Sequence, residues 1–109
     1  RPTAVFAAND AMAVGCLSAF SGLGWRVPED IALGGFDDVP IARYLNPPLT
    51  TVRVPIAELG NRTMQRLLAR LADRDGAHHY RDVVSTELVI RASCGGRPAR
   101  ARPTEGGSK

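Results

Sequence analysis

Apolar and polar positions alternate over the first 36 residues in blocks that predict a strand, a helix and a second strand. Ala4-Val5-Phe6-Ala7 is a short apolar run, typical of a strand buried on both faces. Asn9 and Asp10 then provide N-cap chemistry, and the residues after them have apolar positions at helical spacing: Ala13, Cys16, Leu17 and Phe20. Residues 31–36 form a second apolar run. This order predicts a βαβ unit with a parallel sheet and a right-handed crossover.

The remaining pattern predicts one more helix between two extended segments. Residues 49–54 are extended, and Pro55 suits the first turn of a helix. Gly60 is a point of expected close packing in that helix, whose apolar stripe consists of Ile56, Leu59, Met64, Leu67, Leu68 and Leu71. Residues 73–81 form a loop and residues 83–91 the last strand. The fold class predicted from these elements is α/β.

Length and composition limit the chain to one small domain or part of a larger one. It has 109 residues, of which 44% are hydrophobic, enough for a globular core. It begins at Arg1 rather than at a methionine, so we expect its natural N-terminus to lie upstream. No apolar run approaches the ~20 residues that span a bilayer, and we expect no membrane contact.

The net charge of +3 lies in the last segment of the chain rather than in the predicted domain. Residues 95–109 combine Gly and Pro with four basic side chains and one acidic one, namely Arg97, Arg100, Arg102, Lys109 and Glu105. Residues 1–94 are neutral overall. We therefore expect residues 95–109 to be a disordered basic tail, with weak contact to DNA phosphate as the alternative.

Polar side chains follow both strands of the predicted βαβ unit. Asn9 comes after the first strand and Asp37 after the second, so both are expected at the carboxyl edge of the sheet, where ligands bind in such folds. An amide that donates and accepts, beside a carboxylate that accepts, matches the vicinal hydroxyls of a sugar. Phe36 could supply an apolar face nearby. The alternative is that Asn9 only caps a helix and that Asp37 and Asp38 only form a turn.

Other chemistries lack their residues. Cys16 and Cys94 are too few and too far apart for a disulfide framework or a zinc pattern, and the adjacent His78 and His79 do not match zinc-ligand spacing. The sequence contains neither a phosphate-binding loop nor a nucleophile turn. We therefore expect no enzyme, no cofactor and no metal.

Four motifs in this order resemble the effector-binding core of the lactose/galactose-repressor (LacI/GalR) family of bacterial transcription regulators. They are Ala7-Ala8-Asn9-Asp10, Val27-Pro28-Glu29-Asp30-Ile31, Gly35-Phe36-Asp37-Asp38 and Pro47-Pro48-Leu49-Thr50-Thr51-Val52. The resemblance covers roughly residues 2–94, and we expect residues 1–94 to be a partial effector-binding domain. It implies the C-terminal portion of a two-lobed, periplasmic-binding-protein-like fold, about the last third of a family member.

The resemblance also implies roles for individual residues. Asn9 and Asp37 would contact the effector, and the amide at position 9 favours a sugar over a purine. Asp10 and Asp38 look more like structural partners for caps and turns. The region around Val14, Tyr44 and Leu45 would lie near a homodimer interface; the alternative is a loop that folds over its own core.

The function implied is that of a cytoplasmic repressor. Two lobes would close around the effector and change the geometry of a dimer. Operator DNA would be bound only through an N-terminal helix-turn-helix outside these residues. The alternative is a periplasmic sugar receptor for transport, which shares the fold. An α/β enzyme would need a nucleophile or metal set that this sequence does not show.

Overall fold

The computed structural model of the chain describes residues 1–73 and 81–96. Its strands are β1 (Ala4–Phe6), β2 (Ala32–Gly34), β3 (Thr51–Arg53) and β4 (Glu87–Val89), and its helices are α1 (Asp10–Gly22) and α2 (Ile56–Ala72). Two short 3-10 helices, η1 (Pro40–Tyr44) and η2 (Ala92–Cys94), follow β2 and β4. Both histidines, and the part of the predicted tail from residue 97 on, lie outside the described residues.

The predicted βαβ unit is confirmed. β1 and β2 pair in parallel, with Ala4 opposite Ala32 and Phe6 opposite Gly34. Helix α1 connects them and begins at the predicted cap, where the Met12 backbone N–H donates to the Asn9 side-chain oxygen at 2.8 Å. Local sequence signals were sufficient to predict this unit, because a helix cap and a helical apolar stripe each depend on residues that lie close together in the sequence.

The sequence predicted no direction for the second pair of strands. β3 and β4 are antiparallel, with Thr51 opposite Val89 and Arg53 opposite Glu87. Parallel bridges between Gly34 and Thr50 and between Asp37 and Arg53 continue the pairing from β2 towards β3. The sheet is therefore mixed. An apolar run predicts a strand but does not specify its direction, which depends on the distant partner.

The core fills the space between α1 and the sheet. Phe20 of α1 stacks on Trp25 with ring centroids 5.8 Å apart. The core side chains with almost no exposed surface come from α1, β2 and the loops around them: Ala7, Ala13, Phe20, Ile31, Leu33, Ala42 and Leu49. Two of the four residues predicted to form the buried stripe of α1 are thus in the core, and the other two, Cys16 and Leu17, pack against it half-buried.

Helix α2 is amphipathic as predicted, but every one of its residues is exposed. Leu71 is 69% exposed and Leu59, the most covered leucine of the stripe, is 41% exposed. A Cβ at Gly60 would meet no atom within 4 Å in the described part of the chain, so the expected close packing there was wrong. Within residues 1–73 and 81–96, no helix combines the length and apolar character needed to cross a membrane.

Candidate functional site

The two polar strand ends meet at one edge of the sheet. The Asp10 N–H donates to the Phe36 carbonyl oxygen at 2.9 Å, which sets the segment after β1 against the segment after β2. Asn9 precedes the donor residue, Phe36 provides the acceptor and Asp37 follows it. We call Asn9, Phe36 and Asp37 the strand-end site. All three are half-buried. The backbone thus brings together the three residues that the sequence pattern assigned to ligand binding.

Asn9 combines a structural contact with free hydrogen-bonding capacity. Its side-chain oxygen caps α1, as the alternative interpretation expected. Its amide nitrogen makes no hydrogen bond to any described residue. Capping needs only an oxygen acceptor, so the role in the helix leaves the two N–H donors of the same amide for another partner.

Asp37 has an unusual backbone and an unengaged carboxylate. Its φ angle is +115°, outside the regions that side-chain-bearing residues normally adopt. Its N–H donates to the Val52 carbonyl oxygen at 2.9 Å, which attaches the residue to β3. The carboxylate oxygens accept no hydrogen bond from residues 1–73 or 81–96. Strained backbone of this kind concentrates at functional sites, where the surrounding structure holds it in place.

Asp10 lies beneath the strand-end site as a buried structural carboxylate, as predicted. It accepts hydrogen bonds from the Thr51 hydroxyl at 2.6 Å and from the Val39 N–H at 2.9 Å, so its burial is satisfied. Gly35 makes room for it: a Cβ at position 35 would overlap Asp10 Oδ1 and lie 3.1 Å from Leu49 Cδ2. A side chain larger than hydrogen does not fit at that position.

Asp38 is held by two arginines from different segments. Arg53 Nε of β3 lies 2.7 Å from Asp38 Oδ2, and an Arg91 guanidinium nitrogen lies 2.7 Å from Asp38 Oδ1. The Asp38 side chain is 3% exposed, against 46% for Arg53 and 14% for Arg91. Burial raises the pKa of Asp38, but the hydrogen bonds from Arg91 and Arg53 outweigh it and leave that pKa below its ordinary value.

Sequence reasoning missed the residues that support the site from distant segments. Ser93 of η2 is fully buried, accepts a hydrogen bond from the Thr50 N–H at 2.8 Å and donates one to the Leu33 carbonyl oxygen at 2.6 Å. Arg91 also donates to the Leu49 carbonyl oxygen at 2.8 Å. The sequence signal for both was the appearance of two polar residues, Arg91 and Ser93, shortly after the apolar strand. Their partners, 42 to 60 positions away, were not visible in it.

The residues expected at a dimer interface divide into two groups. Tyr44 is 78% exposed and Val14 is 39% exposed. Leu45 is half-buried and packs against the core of its own chain. The loop therefore covers part of its own core, as the alternative held, while leaving its aromatic side chain at the surface.

No group of three or more His, Cys, Asp or Glu side chains in residues 1–73 and 81–96 is arranged to hold a metal ion. Cys16 and Cys94 are both free thiols. The strand-end site offers hydrogen bonding through the amide donors of Asn9 and the carboxylate acceptor of Asp37, together with the aromatic ring of Phe36.

Comparison with known proteins identifies the family of the chain. Residues 1–94 match the periplasmic binding protein-like domain family. The chain is 44% identical over 93 residues to the HTH-type transcriptional repressor PurR of Mannheimia succiniciproducens, covering 85% of this chain and 28% of that protein. It is 44% identical over 94 residues to the ribose operon repressor of Haemophilus influenzae, with coverage of 85% and 28%. It is 42% identical over 93 residues to the lactose operon repressor of Rhizobium radiobacter, covering 85% and 80%.

Solved structures show the same fold. A LacI-family regulator from Sanguibacter keddieii superposes with a TM-score of 0.79 at 41% identity, covering 88% of this chain and 36% of that one. A LacI-family regulator from Lactobacillus casei with bound sucrose gives a TM-score of 0.71 at 38% identity, covering 85% and 34%.

The fold and the matched residues together define a periplasmic-binding-protein-like domain. The chain belongs to the LacI/GalR family of transcription regulators, as its motifs predicted. It spans 28% of the length of the Mannheimia and Haemophilus relatives. These relatives are named as repressors and not as enzymes, in agreement with the expectation that no catalytic set is present.

Proposed function

We propose that this chain is the effector-sensing part of a LacI/GalR-type regulator and that it binds a small sugar at the strand-end site. The observation that supports this most directly is the 2.9 Å hydrogen bond from Asp10 N to Phe36 O. Asn9, the residue before the donor, has an unengaged amide nitrogen, and Asp37, the residue after the acceptor, has an unengaged carboxylate. Sugar hydroxyls donate and accept at once, so this pair suits two neighbouring hydroxyls.

The sucrose bound to the Lactobacillus casei relative supports a saccharide as the ligand class. The names of the relatives do not identify one sugar as the ligand of this chain, because it is 42–44% identical to repressors with three different names. Selection therefore depends on the few side chains around the ligand rather than on overall similarity. We treat lactose, ribose and sucrose as the first compounds to test, together with cellobiose, which is bound in the structure of the 41% identical regulator CelR.

The proposed mechanism couples this site to DNA. A ligand that binds one arrangement of the domain better than another shifts the population towards it. In the complete protein, this shift would change the spacing of two helix-turn-helix units and hence their fit to operator half-sites. Residues 1–94 would form part of the effector domain. The protein would act in the cytoplasm.

Two matched variants of the complete protein test the site by isothermal titration calorimetry with the four sugars. Asn9→Ser keeps an oxygen acceptor for the helix cap but removes the amide donors. Asp37→Asn keeps the shape of the side chain but removes the charge. Each variant should weaken sugar binding about 10- to 100-fold, the effect of one lost charge-assisted or buried hydrogen bond, with little change in melting temperature. Glu29→Gln, at an exposed turn, is the control and should bind normally.

Unchanged sugar affinity in both Asn9→Ser and Asp37→Asn would overturn the site assignment. A second measurement separates the regulator from the exported sugar receptor. An operator fragment is selected by the complete protein from random DNA, and its affinity is then measured with and without sugar. A regulator changes its operator affinity on adding sugar, whereas a transport receptor selects no DNA at all.

We also propose that the complete protein is a homodimer and that the surface around Val14, Tyr44 and Leu45 contributes to its interface. The support is the exposure of Tyr44, because aromatic side chains are enriched at interfaces. Tyr44→Glu should convert the dimer to monomer in sedimentation velocity at micromolar concentration. Leu23→Glu, which changes another exposed apolar residue at the end of α1, is the control. A dimer that survives Tyr44→Glu would remove this surface from the interface.

A further inference from the structure

Asp38 stands at a junction between two parts of the chain. Its carboxylate contacts Arg53, the last residue of β3, and Arg91, two positions after the end of β4. Helix α2 lies between these strands in sequence and has no buried residue. β3 leads into α2, and β4 follows the segment that leads out of it. A single buried carboxylate is thus bonded to the end of β3 and to the segment just after β4, on the two sides of α2 in the sequence.

The same residue is joined directly to the strand-end site. Asp37, whose carboxylate is unengaged, is its neighbour in sequence, and the Asp37 N–H is bound to the Val52 carbonyl oxygen of β3. Asp37 and Asp38 both have positive φ angles, +115° and +56°. Consecutive non-glycine residues in this region are strained and persist only where neighbouring contacts hold them. The two arginines bound to Asp38 supply such contacts.

The two arginines differ in how firmly they are held, which matters if β3 shifts against the βαβ unit. Arg91 is 14% exposed and is also fixed to the Leu49 carbonyl oxygen at 2.8 Å, so it belongs to the rigid side of the junction. Arg53 is 46% exposed, and its second partner is the exposed Glu87 of β4 at 3.4 Å. The pair of Arg53 with Asp38 is therefore the contact that a shift of β3 against the βαβ unit would change first.

We propose that Asp38 is a positioning residue that transmits occupancy of the strand-end site to β3 and β4. This inference rests on the proposed function, because it requires a ligand at Asp37. A ligand that draws Asp37 towards it moves the adjoining Asp38 and, through it, Arg53 and Arg91. Two sites communicate only through an element that has two arrangements and whose equilibrium is shifted by events at both sites. Here that element is the set of ion pairs that Asp38 makes with Arg53 and Arg91.

The test compares variants of the complete protein in two measurements: sugar affinity by calorimetry, and operator affinity with and without saturating sugar. Asp38→Asn removes the charge at the junction, and Arg53→Gln removes only its more exposed partner. In both, the ratio of the two operator affinities should fall from the 5- to 150-fold typical of allosteric coupling to about twofold or less, while sugar still binds. Arg53→Lys retains a cation and should restore most of the ratio.

Two controls make the result specific. Asp30→Asn breaks another Arg–Asp pair, that of Arg26 and Asp30 at 2.9 Å in the turn before β2, and should leave the ratio unchanged. Asp37→Asn should weaken sugar binding about 10- to 100-fold, whereas Asp38→Asn should leave sugar affinity largely unchanged. A purely structural role for Asp38 would lower the melting temperature of its variants without changing the ratio.

Each outcome supports or overturns a defined claim. A wild-type protein whose operator affinity is insensitive to every sugar contradicts the proposed function itself. A wild-type protein that responds, together with an undiminished ratio in Asp38→Asn and Arg53→Gln, overturns the role of Asp38 alone. If Asp38→Asn fails to fold, Arg53→Gln decides the question, because its side chain is half-exposed and its loss leaves Asp38 paired with Arg91.

Discussion

The side chains of Asp10 and Thr51, 41 positions apart in the sequence, are joined by a 2.6 Å hydrogen bond in the buried interior. This bond ties the start of α1 to β3, directly beneath the strand-end site. Both residues have at most 1% of their surface exposed. Because a buried carboxylate without its donors is costly, the pair stabilises the packing of the βαβ unit against β3.

Replacing Thr51 by valine tests that contribution. The variant keeps the branched shape of the side chain but removes the hydroxyl that donates to Asp10. We expect a loss of about 1–3 kcal/mol in the free energy of unfolding, measured by urea denaturation of the complete protein. Thr3→Val, at an exposed position before β1, is the matched control and should change stability little. Equal stability of the two variants would show that the bond contributes nothing.

A methyl group at Gly35 should be far more disruptive than one at Gly15. The added Cβ of Gly35→Ala would overlap Asp10 Oδ1 and press on Leu49, so the variant should lose about 1–3 kcal/mol of stability, as in an overpacked core. Gly15 lies in α1, where an added methyl would meet no atom within 4 Å, and Gly15→Ala should gain about 0.5–1 kcal/mol. Melting temperatures of the two variants should therefore move in opposite directions, and movement in the same direction would contradict this packing.

The Asp38 ion pairs should make stability depend on acid pH. The pKa of Asp38 is depressed in the folded protein, so the unfolded chain binds its proton first as the pH falls. The stabilisation is complete above the ordinary value of 3.8 and is lost as the pH falls through the lower folded pKa. Urea denaturation between pH 6 and about pH 2.5 should show that wild type has a larger free energy of unfolding than Asp38→Asn at pH 6. This difference should shrink as the pH falls.

A constant stability difference between wild type and Asp38→Asn across that pH range would show that the Asp38 pKa is not shifted on folding. Asp30→Asn serves as the comparison, because the pKa of Asp30 is also lowered, chiefly by its hydrogen bond from Arg26. That pair is exposed and screened by solvent, so its removal should have a smaller effect on stability than loss of the buried Asp38 carboxylate.

The strand-end site was predictable in outline because its residues follow strands that local patterns identify. Asn9 follows the apolar run of β1 and Asp37 that of β2, and parallel strands end at a common edge. The helix cap at Asn9 was predictable for the same reason. Whether these side chains bind a ligand stays a prediction, as does the role of Tyr44 and Val14 in a dimer.

Several features depended on contacts between distant segments and were not predicted. The antiparallel direction of β4 is one, and the burial of Ser93 between Thr50 and Leu33 is another. The exposure of α2 is a third: its apolar stripe is evident in the sequence, but a stripe does not indicate what covers it. Gly60, where we expected close packing, lies on this exposed helix. A Cβ added there would meet no atom within 4 Å in the part of the chain that the structure describes.

The sequence by itself determined the βαβ unit, the cap of α1, the family of the protein and the residues at the strand ends. These depend on short-range periodicity, on capping chemistry and on motifs read in order along the chain. Only the tertiary structure decided that Asp10 pairs with Thr51 and that Asp38 holds both Arg53 and Arg91. The physical reason is that a buried carboxylate needs partners, but which of many candidate donors reaches it depends on how distant segments pack.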